Sequence, residues 1–245
     1  SKKILDVATF WEGKDWRSQS EAYLKETMED YEQVEKMQQQ LVFLRFMFDV
    51  PEGRVIVDYQ KMLDLGCNGL IKIAKEQMKK IGNLQNKEDF DRYNFYKGTI
   101  LALEGLIAFA NHYADEAARL AAQEKDEKRK AELLSIEKIC RKVPAEPADT
   151  FREAIQSFWF THLCIFIELN GRGMSPGRFD QYMYRPYLNE IQAGRITDEE
   201  VLEYLELLRI KCTELTRAHA TFTESYLGGS IYQNLTLGGV DRYGK

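Results

Sequence analysis

Residues 151–167 restrict the fold more than any other stretch, because Phe151, Ile155, Phe158, Trp159, Leu163, Phe166 and Ile167 spread apolar side chains nearly all round one helix. Thr150 stands where its hydroxyl can accept from a first-turn amide that has no partner inside the helix. A helix apolar on every side is stable in water only when other elements enclose it. The loop that leaves it at Asn170 is therefore an interior loop. That loop reads Asn170-Gly171-Arg172-Gly173-Met174-Ser175-Pro176-Gly177-Arg178-Phe179-Asp180-Gln181-Tyr182, with three glycines, two arginines and one carboxylate in a single turn between helical stretches. Folding alone does not call for that concentration.

Elsewhere apolar residues recur at three- and four-residue intervals, the mark of helices with one buried face. With Ser18 as a candidate cap, a helix is expected to run toward Phe48, where Pro51 and Gly53 interrupt it. A second spans residues 58–80 through Met62, Leu63, Leu70, Ile73 and Met78, with Gly82 as its stop. A third starts near Lys87 and continues to about Gln123. The charged run 124–132 reads as a solvated helical face, and Pro144-Ala145-Glu146-Pro147 as a short linker. After the interior loop come helices over 179–191, stopped at Gly194, and from the Thr197-Asp198-Glu199-Glu200 start to about Thr216. The first clear strand is expected at 231–237, flanked by paired glycines.

A chain of 245 residues with 44% hydrophobic composition can bury a sizeable core. Its net charge of −5, with both signs interspersed, argues against a surface that tracks phosphates, so no nucleic-acid partner is expected. No apolar run is long enough to cross a bilayer, and the opening Ser1-Lys2-Lys3-Ile4-Leu5-Asp6 lacks a signal peptide's apolar stretch; a cytoplasmic setting without membrane association is expected. Cys67, Cys140, Cys164 and Cys212 are widely separated, which favours free thiols over a metal site. His112 and His219 lack partners at ligand spacing, and His162, on the apolar helix, reads as a hydrogen-bonded core residue rather than a base.

Five segments in order carry a resemblance. They are Phe10-Trp11-Glu12-Gly13-Lys14, Val57-Asp58-Tyr59-Gln60-Lys61-Met62-Leu63, Arg152-Glu153-Ala154-Ile155-Gln156, Gly177-Arg178-Phe179-Asp180-Gln181-Tyr182 and Gln233-Asn234-Leu235-Thr236-Leu237-Gly238-Gly239-Val240-Asp241-Arg242. Each is weak alone; together they resemble the middle of a glycyl radical enzyme of the pyruvate formate-lyase superfamily. The resemblance implies an α/β fold, a ten-stranded barrel of two antiparallel five-stranded halves with helices outside. This chain would supply a helical outer layer over 1–143 and, over 148–245, helices and the first barrel elements.

The resemblance further implies radical chemistry with no directly bound cofactor. A radical S-adenosylmethionine activating enzyme generates a glycyl radical, which forms a cysteine thiyl radical that abstracts hydrogen from a small-molecule substrate. A homodimer is the implied assembly. No Gly-Cys-Xaa-Glu and no Arg-Val-Xaa-Gly-Tyr motif occurs here, so no catalytic residue is assigned, and Cys164 and Cys212 are not candidates for the thiyl position. The chain is expected to be an excerpt of a longer enzyme, lacking residues before Trp11 and after Lys245, and inactive alone.

Substrate preference is read at positions where this sequence departs from the diol dehydratases of that family. Arg54 and Arg172 replace two hydroxyl-binding histidines, Gly173 stands for a serine, and Phe46 for an amide. Arginine at position 54 also argues against the cation that choline lyases hold with an acid there. A guanidinium in an enclosed chamber suits a carboxylate or sulfonate through paired charge-assisted hydrogen bonds. Phe46 and Tyr232 would add aromatic surface, which points to an arylacetate-type decarboxylase. Arg54 and Arg172 equally suit structural pairing with buried acids such as Glu168 or Asp180, and Arg178 with Asp180 suits a stabilised helix start. Phe46 and Tyr232 also suit packing, and Gly171, Gly173 and Gly177 backbone needs. Pyruvate formate-lyase or a glycyl radical dehydratase are the alternative enzymes; a helical scaffold or split subunit without a radical site is the non-enzymatic one.

Overall fold

The computed structural model describes residues 2–40, 55–169, 173–215 and 233–239. The chain divides into two compact units, residues 1–53 with 218–230 and residues 54–217 with 231–245.

The first unit contains α1 (Lys2–Trp11), α2 (Trp16–Thr27) and α3 (Tyr31–Gln39). The cap of α2 is Asp15 rather than Ser18: its Oδ1 accepts the Ser18 amide at 3.0 Å and its Oδ2 the Ser18 hydroxyl at 2.6 Å, which places Ser18 inside the first turn. The expected continuous helix toward Phe48 is broken because Met28 takes an extended backbone (φ −103°, ψ 114°), and α3 restarts after Asp30. Residues beyond Gln40 in that stretch, Phe46 included, lie outside the described part.

The second unit holds β1 (Val55–Ile56), α4 (Tyr59–Ile81), α5 (Lys87–Gln123), α6 (Glu127–Lys142), α7 (Phe151–Leu169), β2 (Met174–Ser175), α8 (Phe179–Gln192) and α9 (Asp198–Glu214). Helix α4 runs from its Asp58 cap to Gly82 as expected, but it is interrupted at Gly66 (φ 61°, ψ 174°). The segment expected to be a linker fills that break. The Cys67 amide donates to Pro144 O at 2.8 Å, the Asn68 amide to Ala145 O at 2.9 Å and the Ala148 amide to Leu63 O at 3.1 Å, while the Asn68 side chain donates to Glu146 Oε1 at 2.7 Å. Amides freed by the break thus find carbonyls, and Val143 and Pro144 are buried instead of forming an exposed connector.

The charged run 124–132 is likewise two elements. Glu124 ends α5 in extended backbone and Asp126 caps α6 through the Arg129 amide at 2.7 Å. Leu106, Ala110, Ala114, Ala117 and Ala121 form the buried stripe of α5, which packs on α4 and α6.

Helix α7 touches α4, α5, α6, α8, α9 and β2, which is the enclosure its sequence requires. Thr150 caps it, its Oγ1 accepting the Glu153 amide at 3.1 Å. Ile167 departs from expectation: it is 61% exposed, and no described residue covers it. The capping box at Thr197 and Glu200 starts α9 as read from the sequence.

The β1 and β2 strands pair in parallel, Val55 with Met174 and Ile56 with Ser175. Of the strand expected at 231–237, the described residues 233–239 show one parallel bridge, Leu235 to Gly177. Its extent is limited by the partner, because Gly177 has φ +67°, outside the extended region, so the ladder cannot continue through it.

Gly66→Ala is expected to destabilise the intact protein by about 2–4 kcal/mol, combining left-handed backbone and overpacking against an immobile neighbour. A Cβ there would lie 2.6 Å from Ala145 O. Gly98→Ala, in α5 with nothing within 4 Å, should instead stabilise by about 0.5–1 kcal/mol. Thermal unfolding of both variants checks this; equal midpoints would refute the account of the break.

Candidate functional site

The interior loop and the segment after it are built as one piece with residues 233–239. Residues 173–177 are buried. The Gly177 amide donates to Asn234 O at 3.4 Å, the Thr236 amide to Gly177 O at 2.8 Å and the Asn234 amide to Ser175 Oγ at 3.3 Å. Asp180 Oδ2 accepts the Gly238 amide at 2.6 Å, and the Tyr182 hydroxyl donates to Pro176 O at 2.9 Å. A Cβ at Gly177 would stand 2.8 Å from Ile56 Cγ2, so β1 also closes on this turn. Asp180, expected to stabilise the helix start together with Arg178, holds the turn at 238 from the first turn of α8; its Oδ1 is buried and bonds none of the described residues.

Beneath this piece lies a buried polar chain. The Tyr59 hydroxyl is 2.8 Å from His162 Nδ1, His162 Nε2 is 2.8 Å from Gln233 Oε1, and Gln233 Nε2 donates to Cys212 O at 2.8 Å. The Cys212 carbonyl, in the last turn of α9, can only accept, which turns the Gln233 amide so that its oxygen faces His162. His162 Nε2 must then carry the proton, leaving Nδ1 to accept from Tyr59. Burial holds His162 below the ordinary value of 6.5, with the Gln233 hydrogen bond pulling the other way, so the ring is neutral. Burial also raises the Tyr59 hydroxyl pKa, keeping its proton in place.

The ring of His162 stacks on Phe158 with centroids 5.3 Å apart, and Phe158 joins Tyr59 at 4.7 Å and Phe179 at 5.3 Å. His162 is thus the hydrogen-bonded core residue read from the sequence. Its partners Tyr59 and Gln233 were both inside segments singled out for resemblance, but no spacing rule links positions so far apart.

Of the residues expected to bind substrate, Gly173 is described: it is buried, with φ +77°. Arg54, Arg172, Phe46 and Tyr232 lie outside the described residues. The described neighbours of three of them converge: Val55 and Met174 are register partners, and Gln233 belongs to the segment bonded to Ser175 and Gly177. Glu168, considered as a buried acid for the arginines, is exposed.

The thiols of Cys67, Cys140, Cys164 and Cys212 are free, and burial raises the first three to about 12, 11 and 11, leaving protonated, weakly nucleophilic groups. Among the described residues no group of three or more His, Cys, Asp or Glu converges to hold a metal. A cleft of about 200 Å³ opens between α4 and α8, lined by Gln60, Asp64, Asp149, Tyr182, Arg185 and Asn189. Arg185 lies 3.5 Å from Asp64 there, and none of the expected site residues contributes.

Residues 1–245 match the family model described as pyruvate formate lyase-like, and the chain belongs to that family. It is 33% identical to the 4-hydroxyphenylacetate decarboxylase glycyl radical subunit of Clostridioides difficile, over 98% of this chain and 27% of that protein. It is 32% identical to indoleacetate decarboxylase of Tractidigestivibacter scatoligenes, again over 98% and 27%. The glycerol-bound B12-independent glycerol dehydratase from Clostridium butyricum has a TM-score of 0.86 at 35% identity, covering 100% of this chain and 30% of that one. The chain thus spans a little over a quarter of the curated relatives it matches, and decarboxylase, sulfite-lyase and dehydratase relatives all occur at about 30% identity. The mostly helical architecture with few strands is that of the corresponding part of these enzymes.

A neutral buried histidine makes stability depend on pH with a definite sign. The stabilisation is fully present above the unfolded value of 6.5 and is lost as pH falls through the lower folded value, because the unfolded chain takes up the proton first. Between about pH 7 and pH 5.5 the thermal midpoint of the intact protein should fall more steeply than that of His162→Gln, which has no titrating ring. Parallel curves would show that His162 contributes nothing to acid sensitivity.

Proposed function

We propose that the whole protein is a glycyl radical enzyme that cleaves a C–C or C–X bond in a small anionic substrate, a carboxylate or sulfonate, with Arg54 and Arg172 as the anion-binding pair. The supporting observation is the register of β1 and β2. Val55 directly follows Arg54, Met174 follows Arg172 by two, and these two described residues face each other across a parallel ladder. A pair of guanidiniums on two neighbouring segments would suit the two oxygens of one carboxylate. Gly173, without a side chain, leaves room beside them, and Tyr232, next to Gln233, would present an aromatic wall; Phe46 is proposed as a second aromatic contact.

Decarboxylation of an arylacetate fits this reading best, since the names of two relatives place a carboxylate on an aromatic acetate. A protein glycyl radical, installed by an activating enzyme, would supply the hydrogen-abstracting species. The residues proposed here bind and orient the anion, and the enclosing helices keep water from the reactive intermediate. Pyruvate formate-lyase would use arginines too. The 35% identity with a glycerol dehydratase favours a polyol dehydratase as the second reading, against which stand the arginines at both positions read as histidines in such enzymes. A cytoplasmic homodimer completes the proposal, and no described helix is long and apolar enough to cross a membrane.

The intact protein, activated anaerobically, should give a glycyl signal in electron paramagnetic resonance; without one the enzymatic reading fails. Arg172→Ala and Arg54→Ala should each raise KM for an arylacetate by about 10–100-fold, the worth of a charged hydrogen bond, with the lysine variants intermediate. Unchanged KM in both, or turnover of glycerol in preference to carboxylates, would overturn the anionic assignment.

A further inference from the structure

We propose that the outward face of α5 is where two copies of the whole protein meet, helix against antiparallel helix about a two-fold axis. This rests on the homodimer of the reading above and names its surface; it owes nothing to the choice of substrate.

Helix α5 buries Leu106, Ala110, Ala114, Ala117 and Ala121 and packs on α4 and α6. Its opposite face carries large apolar side chains in the open: Phe95 is 68% exposed and Leu101 60%, and Phe90 is exposed as well. On a helix of 3.6 residues per turn, Phe95 and Leu101 stand about 60° to either side of a line through Gly98 and Gly105. They are the walls of a groove with a glycine floor, and Ala102 and Ala108 are exposed beside it. A contiguous apolar patch of this kind marks a contact surface.

The glycines are an independent observation. Each costs a helix interior about 1 kcal/mol relative to alanine. Neither has the positive φ that would require glycine, and a Cβ on either would have nothing within 4 Å. Among the described residues, then, no contact calls for the missing side chains. A second helix laid in the groove does, because two axes approach to about 8 Å only where the residues at the crossing are small.

The occupant is identified as a second copy because the face complements itself. Laying α5 antiparallel on another α5 with Gly98 over Gly105 puts the two-fold axis between Leu101 and Ala102. That one register brings Leu101 beside Leu101 of the other copy, Phe95 against Phe109, Asp91 across from His112 and Lys97 beside Glu104 on the same flank. Phe109 is half-buried and the others are exposed. Lys97 and Glu104 lie about 10 Å apart along one helix, and neither has an opposite charge three or four positions away on α5. Across the axis each meets one. A foreign helix would have no cause to match this sequence under reversal.

Sedimentation of the whole protein over a range of concentrations tests this without activation or substrate, so its failure leaves the radical and anionic assignments to their own experiments. The wild type should dimerise. Gly105→Leu keeps a good helix former but fills the groove twice per dimer, and should raise the dimer Kd by about 100-fold with helix content by circular dichroism unchanged. Gly98→Ala, which adds one methyl, should weaken association far less. Lys97→Glu and Glu104→Lys should each raise Kd by about tenfold, and the two together should return it to near the wild-type value. Should the leucine variant not fold, this charge cycle decides by itself. A monomeric wild type, a dimer indifferent to these changes or a double reversal that fails to recover would overturn the proposal. So would a Gly105→Leu that loses thermal stability with association unchanged, the mark of a face covered by the rest of the same chain.

Discussion

Everything in the larger unit depends on enclosing α7. Phe151 and Phe158 share one face of that helix, while Phe160 and Phe166 belong to two other clusters; all four are buried, each contributing about 1.5–3 kcal/mol relative to exposure. Phe158 meets the rings of Tyr59, Phe179 and Tyr182, and Phe160 meets Phe109 and Tyr113, so one helix joins two separate clusters. Enclosure makes the polar groups of α7 expensive unless paired. Glu153 accepts from Lys142 and from the amides of Asp149 and Thr150; Glu190 accepts the Phe151 amide; Thr161 donates to Ser157 O. Both carboxylates lie at the helix N-terminus, where the dipole favours negative charge. His162 is a further case, and its two ring nitrogens are met by Tyr59 of α4 and by Gln233.

The helices were legible in the sequence wherever local chemistry specified them. Asp58, Gly82, Thr150 and the Thr197 capping box stand at the boundaries that the structure shows. Two readings failed for one reason: a break was decided by a distant partner. Nothing near Gly66 announces that residues 144–148 will supply carbonyls to its interrupted helix, and the two prolines around Ala145 and Glu146 looked like a connector because their hydrogen-bonding partners are some 78 positions away. Ser18 was mistaken for a cap because Asp15, three residues earlier, offers the same chemistry with the right backbone.

The candidate site was legible as a location and less so as a mechanism of assembly. Glycine and arginine crowding marked the interior loop, and paired glycines marked the segment ending at Gly239. That these pack on each other follows from a parallel bridge, which leaves no alternating pattern to read when it is one residue long. Tyr59 and Gln233 were visible as residues but not as partners, since a side-chain hydrogen bond across α7 has no signature in spacing.

The closure of these segments also separates two kinds of residue. Gly177, Asp180, Tyr182, Asn234 and Gly238 are tied through backbone conformation, a carboxylate on an amide and hydroxyl or amide bonds to carbonyls; losing the Tyr182 hydroxyl would leave the buried Pro176 carbonyl without that bond. The residues proposed to select the substrate, at positions 54, 172 and 232, stand close in sequence to described members of the paired segments, Val55, Met174 and Gln233. In the proposed reading those three positions choose the substrate, while the chain from Cys212 through Gln233 and His162 to Tyr59 belongs to the scaffold, where each buried group is paired in one direction.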